Sequence, residues 1–391
     1  MSSNVTAASD SGIFGKLFKR KKKEINLAEA TAWQLIGIKL RRHKLAWYSI
    51  WFLAVLYFVA IFAEFFAPFD PSDTWRRYTY APPQEVNLFE QTDDGWQWAP
   101  HMVGYDVKTN IMTLKRDYTP DEEKKVYFEF FGKTEPYTLA GFIPMQYKLL
   151  VPENSKQPFF MLGSDRMGRD MLSRIIHGAR ISLSVGLIGV FCTFFIGILV
   201  GGISGYFGGK VDNVIQRLME IIKSIPTLPL WMALGASLPN DWSSLQRYFL
   251  ITIILGLVAW PDMARVVRSR FMSLRNEEYV AAAWLDGNTP FEIIRRYMVP
   301  NFLSHIIAVV TLAIPAMILG ETSLSFLGLG LQPPMVSWGV LLQEAQNIRA
   351  LAEAVWLLIP AACVVIAILA MNFVGDGLRD ACDPYHDQGA K

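Results

Sequence analysis

Three cysteines in 391 residues are too few for a disulfide framework. Cys192 and Cys363 fall inside apolar runs and Cys382 in the tail, so all three read as buried or inert thiols. Charge is also sparse, at 18% of residues, and the net of +2 hides strong segregation along the chain, so the average says little about partners. No spacing of His, Cys, Asp or Glu fits a metal site, and no nucleophile lies in a pattern that supplies its base; neither catalytic nor metal-binding residues are assigned. Gly132-Lys133-Thr134 invites a phosphate-loop reading, but the position five residues before Gly132 is Tyr127 where that loop needs glycine. The chain therefore carries no ATP-binding motif of that kind. No small-residue cleavage site follows the first apolar run, so a removed signal peptide is not expected.

What the sequence has in abundance is apolar length. Hydrophobic residues make up 52% of it, gathered into runs that predict six membrane spans. The first is Leu45 to Phe66, with Trp47 and Tyr48 suited to the interface and Glu64 near the far end. The others are Ile181 to Tyr206, Asp212 to Leu238, a run from about Leu245 past Pro261, Phe302 to Leu319, and Ala352 to Phe373. Gly186, Gly189, Gly197, Gly201, Gly202 and Gly205 in the second run permit close helix packing, with lining of a substrate path as the alternative. Pro226 and Pro229 interrupt the third, which fits either a kinked helix lining a pathway or packing strain.

Basic residues fix the sides. Residues 1–44 hold the cluster Lys19 to Lys23 and an amphipathic helix, Leu27 to Lys44, ending in Lys39, Arg41, Arg42 and Lys44. Such clusters beside spans mark the cytoplasmic face and favour anionic lipid. Six spans then place both termini inside. Residues 67–178 lie outside, forming an insertion and a lead-in to the second span; 179–376 form a five-span core with a cytoplasmic loop at 270–300; 377–391 form a cytoplasmic tail. Within 67–162 there are 14 acidic against 10 basic residues, many aromatics and prolines, and two strand-like stretches, Ile111 to Tyr118 and Val126 to Phe131. The fold class is an all-α membrane protein carrying an extracytoplasmic, β-containing insertion between its first two spans.

The most legible local chemistry is Asn276 to Asn301, a polar island between two apolar runs. Asn276 is placed to cap a helix that continues through Ala281, Ala282 and Ala283 to Leu285. Asp286-Gly287 stops it. Thr289, Pro290 and Glu292 form the capping box of a second helix. A plain surface hairpin and a DNA-reading helix pair are the alternatives. Arg265, Arg268, Arg270, Arg275, Arg295 and Arg296 favour a cytoplasmic elbow between two spans over both, and no nucleic-acid partner is expected.

The island resembles the loop of bacterial ABC-importer permeases that reads Glu-Ala-Ala, three residues, Gly, nine residues, Ile-x-Leu-Pro. Ala281-Ala282-Ala283, Gly287 and Tyr297-Met298-Val299-Pro300 fall in that register, with Ala281, Tyr297 and Val299 departing from it. A second stretch resembles the oligopeptide and dipeptide branch more specifically: Gly163-Ser164-Asp165, Gly168-Arg169-Asp170, Ser173-Arg174 and Gly178-Ala179-Arg180. Read locally, that stretch is a polar lead-in where Asp165 or Ser164 caps a helix. Ser323 to Gly330 and Ser337-Trp338-Gly339 extend the likeness. Glu321, at membrane depth, is read as a structural hydrogen-bonding group, with a pathway role as the alternative.

The resemblance implies the type I importer permease fold and a permease subunit for peptides or oligopeptides in a bacterial inner membrane. It implies a homologous second permease, two ATP-binding subunits that hold ATP and Mg, and an extracytoplasmic binding protein as partners, with no cofactor on this chain. It makes Ala281, Ala282, Ala283, Gly287, Tyr297 and Pro300 the coupling contact to the ATPase. The same machinery serving oligosaccharides or metal complexes, a secondary transporter or channel, and a membrane-anchored enzyme are the rival readings.

Overall fold

The computed structural model describes residues 32–92, 95–109, 112, 116–154, 157–239 and 241–382. The basic cluster at 19–23 and the tail after Cys382 lie outside them. Helix α1 (Ala32–Arg42) ends in Lys39, Arg41 and Arg42. His43 breaks it and caps α2 (Lys44–Ile61), its Nδ1 accepting from the Ala46 amide at 3.2 Å. Helix α2 buries only small residues, Ala46, Ser49 and Ala60, while Trp51, Phe52, Val55 and Phe58 stay exposed. That is the pattern of a helix seated at the margin of a bundle, with its large side chains turned toward lipid. After a break at Phe62, a short α3 (Ala63–Phe66) ends the run.

Among the described residues, 86–152 hold six strands. Strands β1 (Val86–Thr92), β2 (Gly95–Thr109), β3 (Arg116–Phe130) and β6 (Leu150–Pro152) form an antiparallel sheet in the order β1-β2-β3-β6. Strands β4 (Lys133–Leu139) and β5 (Ile143–Tyr147) form a separate hairpin. The sequence predicts two short strands here, at 111–118 and 126–131. The first lies partly outside the described residues, and its described end belongs to the same long strand as the second. The charged run Asp121 to Lys125 hides this continuity. It sits on a solvated part of the sheet, where Lys124 pairs with Asp121 at 2.8 Å and Lys125 with Glu90 at 2.5 Å. Phe69, Met102, Phe128, Leu150 and Phe159 make the insertion's small core.

Five helical stretches are long and apolar enough to cross a membrane among the described residues: Lys44–Ile61, Met171–Phe207, Ser244–Leu274, His305–Phe326 and Val355–Cys382. The predicted third span is the exception. It folds as α5 (Gly209–Ser224), which carries Arg217, Glu220 and Lys223, and a ten-residue apolar α6 (Thr227–Ala236). The break falls at Ile225-Pro226, because proline brings no amide hydrogen to continue a helix. Other boundaries shift too. The lead-in and second run are one helix, α4 (Met171–Phe207); α7 (Ser244–Leu274) absorbs Pro261; α10 (Val299–Phe326) keeps the Ser323 to Phe326 run helical. The last span starts later than Ala352 and runs on through α13 (Ile359–Cys382), preceded by α11 (Trp338–Gln343) and α12 (Ile348–Glu353).

The bundle closes tightly where α4 meets α7. A Cβ on Gly197 would lie 2.5 Å from Met263 Cγ, on Gly201 2.5 Å from the Ala264 carbonyl, and on Gly205 2.6 Å from Phe271 Cβ. Glycines spaced four apart let the two backbones touch, which is how helices associate where lipid supplies no hydrophobic drive. Asp212 then clamps α5 to this pair. Arg268 reaches it through Nε at 2.5 Å and Nη2 at 2.6 Å, and Ser204 donates at 2.5 Å. The three cysteines are half-buried and none is in a disulfide.

Candidate functional site

Two regions carry the residues singled out by sequence, one at each end of the bundle. The elbow joins α7 to α10. Helix α8 (Glu278–Leu285) begins without a side-chain cap, since Glu277 holds the cap position and Asn276 does not serve as predicted. Gly287 takes φ +80, the left-handed conformation that ends α8. The second helix starts as expected: Thr289 Oγ1 accepts from the Glu292 amide at 3.4 Å, and Glu292 returns to the Thr289 amide at 2.9 Å in a three-residue α9 (Pro290–Glu292). Those bonds from Thr289 hold the Glu292 carboxyl below its ordinary range. A π-helical segment, Ile293–Met298, then leads into α10.

The elbow has two faces. Val280, Ala283, Ile293 and Met298 point inward onto Phe271, Phe302 and Ile306 at the ends of α7 and α10. Ala283 is therefore an internal packing residue, 2% exposed, and not part of an approach surface as its place in the alanine run implies. Ala281 and Ala282 do face outward, as do Gly287 and Pro300; Tyr297 is half-buried. Beside them stand Trp284, 64% exposed, Leu285, 77%, and Phe291, 59%. Sequence reasoning overlooked these three. The signal was there, in large apolar side chains flanking Asp286-Gly287 inside an otherwise polar island.

At the opposite end of the bundle, Asp165 is the organising group. Its Oδ1 accepts from the Met167 amide at 2.8 Å and the Arg169 amide at 2.9 Å, and its Oδ2 takes Arg169 Nε at 2.6 Å and Arg174 Nη1. It closes a turn and does not cap a helix. Asp170 caps α4, its Oδ2 accepting from the Ser173 amide at 2.7 Å and from Ser173 Oγ at 2.6 Å. Burial pushes the Asp170 carboxyl up to about 6, against the pull of the Ser173 bonds. Ser164 is also internal, its carbonyl accepting from Trp356 Nε1 at 2.9 Å. Gly168 sits at φ +74, and a Cβ there would fall 2.0 Å from the Trp75 carbonyl oxygen; at Gly163, φ +78, a Cβ would fall 2.6 Å from Trp356 Nε1.

The rest of the stretch ties helices together. Arg180 Nη1 meets Glu64 Oε1 at 2.6 Å and Nη2 meets Oε2 at 2.7 Å, while its Nε donates to the Ala60 carbonyl at 2.9 Å. Glu321 is fully buried in α10 and accepts from three hydroxyls, Ser337 at 2.7 Å, Ser325 at 2.8 Å and Ser182 at 3.2 Å. Ser182 in turn accepts from the Trp338 amide at 3.0 Å. The carboxylate thus knits α4, α10 and the start of α11. Pro226 caps α6 at the exposed break and joins neither cluster.

A cleft of about 640 Å³ opens beside Asp165, lined by Tyr80, Arg166, Arg169, Gln343, Glu344 and Asn347. Glu344 accepts from the Arg166 amide at 2.7 Å, and burial raises its carboxyl.

The sequence model of the family described as binding-protein-dependent transport system inner membrane component matches residues 197–385. A second model, the N-terminal TM domain of oligopeptide transport permease C, matches residues 31–83. The Oligopeptide transport system permease protein OppC of Haemophilus influenzae is 40% identical over 249 residues, covering 62% of this chain and 78% of that protein. The chain belongs to this family of inner-membrane transport permeases. OppC of Escherichia coli is 43% identical over 223 residues, or 57% of this chain and 71% of its own length. The Dipeptide transport system permease protein DppC of Bacillus subtilis is 38% identical over 224 residues, or 57% and 68%. Among solved structures, the inward-facing MetNI methionine ABC transporter aligns with TM-score 0.42 and 19% identity over 55% of this chain and 98% of that one. The chain is a multi-pass inner-membrane permease, placed by its relatives in the oligopeptide and dipeptide branch. The two family models leave residues 84–196 unmatched, so all six strands of the insertion fall outside both.

Proposed function

We propose that this permease forms one half of the pathway of an ATP-driven importer that brings peptides or oligopeptides across the cytoplasmic membrane. The oligopeptide and dipeptide permeases to which it is similar are named for those cargoes. A homologous second permease completes the pathway, two separate subunits bind ATP and Mg and hydrolyse the nucleotide, and an extracytoplasmic binding protein delivers cargo. This chain is then not itself an enzyme and holds no cofactor.

The observation that carries the reading is the elbow. It leaves Trp284, Leu285 and Phe291 uncovered at a point joined rigidly, through Ala283 and Met298, to the ends of α7 and α10. Large apolar side chains grouped on a polar loop mark a contact with another protein. Movement of an ATPase seated there reaches both spans directly, with Ala281, Ala282 and Gly287 leaving room for close approach.

Under this reading, α5 and α6 together form the sixth span, interrupted at Pro226. Freed backbone groups at the break face protein or the pathway. Both termini are then cytoplasmic, 67–178 and 322–350 face outward, and 207–212 and 266–299 face inward. The Asp165 turn and Arg180 act as a buttress for the outer mouth, and the insertion docks the binding protein or gates that mouth. Glu321 holds its three hydroxyls and does not bind cargo.

Co-purification of the complex, reconstitution with its binding protein, and uptake of a labelled peptide test this reading. ATP-dependent peptide accumulation is expected. Uptake of an oligosaccharide or a metal chelate in place of peptide contradicts the cargo, and uptake that needs only an ion gradient contradicts the importer itself.

A further inference from the structure

The β4–β5 hairpin is pinned to the outer end of the first span. The Leu149 amide donates to the Phe65 carbonyl at 2.9 Å, Lys148 Nζ to the Pro68 carbonyl at 3.2 Å, and the Ala140 amide to Glu64 Oε2 at 3.3 Å. Glu64 is itself held by Arg180 of α4. The hairpin tip, Ala140-Gly141-Phe142, therefore sits at the depth where two membrane helices end.

Its side chains suit that depth. Phe142 is 76% exposed, Phe131 63% and Ile143 40%. A chain of rings connects this surface to the lipid-facing flank of α2. Phe58 lies 5.9 Å from Phe66, Phe66 lies 5.2 Å from Phe65, and Phe65 lies 6.1 Å from Phe131. Phe131 and Ala140 adopt φ of 55° and 51°, which L-residues rarely do. Such backbone persists where the surroundings over-determine it. Here it turns Phe131 onto Phe65 and the tip toward Glu64.

We infer that the β4–β5 tip is a lipid anchor, with Phe142 and Ile143 dipping into the outer-leaflet headgroup region. Aromatic side chains concentrate at that level because they combine apolar area with tolerance of a polar boundary. Continuity with the exposed flank of α2 favours lipid over a protein as occupant. The inference rests on reading α2 and α4 as spans, and it is independent of cargo and ATPase coupling.

The test uses the full chain in its complex, with Cys192, Cys363 and Cys382 replaced by serine. An environment-sensitive fluorophore is attached at Phe142→Cys and, as a water-facing control, at Glu122→Cys on the exposed part of β3. In phospholipid vesicles, the label at 142 is expected to be quenched several-fold more by headgroup-level nitroxide lipid than by aqueous iodide, with the order reversed at 122. Phe142→Asp, read by a label at Ile143→Cys, should move that label into water. Iodide quenching at 142 equal to that at 122 overturns the anchor. So does protection that appears only when the second permease or the binding protein is present, since the occupant is then protein. Peptide uptake, measured on the same vesicles, tests the importer separately from either result.

Discussion

Arg180 grips Glu64 with both terminal nitrogens, at 2.6 Å and 2.7 Å, across 116 positions of sequence. The pair fastens α4 to the end of the first span at the root of the insertion. A two-pronged arginine–carboxylate contact fixes direction as well as distance. Both side chains are largely shielded, at 33% and 22% exposed. A double-mutant cycle of Arg180→Ala and Glu64→Ala, read by thermal unfolding of the purified complex, should give a coupling of about 1 to 3 kcal/mol. Additive effects would mean that the two groups do not support one another.

Asp170 is expected to make this end of the bundle sensitive to pH. Its folded carboxyl titrates at about 6 against an ordinary 3.8, because burial disfavours the charge. A carboxyl whose pKa is raised on folding binds its proton more tightly in the folded state. Its contribution is complete below the ordinary value and disappears as pH rises through the folded value. The protein should therefore lose stability between about pH 4 and pH 6, by roughly 3 kcal/mol at most, given 1.36 kcal/mol per unit. Asp170→Asn keeps a capping oxygen and removes the titration. Unfolding temperatures across that range should flatten in the variant, and an unchanged slope would contradict the assignment.

Much of this was legible in the sequence, and the misses have physical reasons. The capping box at Thr289 and Glu292, the stop at Gly287 and the close-packing glycines of α4 are local or periodic features, so residue spacing encodes them, but that α7 is the partner they meet is visible only in the fold. Asp165 reads as a helix cap because its real partners depend on the turn that Gly168 makes, and Trp356 reaches that turn from 192 positions away. Glu321 was recognisable as a buried acid, but its ring of serines comes from three separate segments. Ala283 and its neighbours have the same composition; only the helix phase decides that Ala283 faces in while Ala281 and Ala282 face out. Strand β3 was cut short in sequence because charges on a solvated sheet face resemble a loop.

Glu321 separates structure from transport. Glu321→Ala leaves the hydroxyls of Ser182, Ser325 and Ser337 without their common acceptor, at about 1 to 3 kcal/mol for each group that finds no other. Glu321→Gln retains one acceptor oxygen and should be milder. If the role is structural, the glutamine variant transports normally once assembled, and loss follows unfolding temperature across both. Normal assembly of Glu321→Gln with abolished uptake would put the carboxylate in the pathway.

The seam between α4 and α7 should be intolerant of volume. Gly201→Val places its first carbon 2.5 Å from the Ala264 carbonyl oxygen, and overpacking of this kind costs about 1 to 3 kcal/mol. Gly37→Ala in α1 meets nothing within 4 Å and should be neutral or slightly stabilising. Yields and unfolding temperatures of the two purified variants check the contrast, and equal tolerance at both positions would contradict it.

The elbow bears the central claim. Ala283→Trp would disrupt packing inside the elbow, because Ala283 is buried, and Gly287→Val would force a β-branched residue to φ +80. The cleaner probes are the exposed groups, Trp284→Ala and Leu285→Ala, which leave the buried face alone. The deciding measurement is ATPase activity of the reconstituted complex with and without cargo-loaded binding protein, after the spans are confirmed inserted. Loss of stimulation, or loss of the ATP-binding subunits from an otherwise assembled permease pair, is the expected result. Full assembly with undiminished stimulation and uptake in both variants would show that this elbow does not couple ATP hydrolysis to transport.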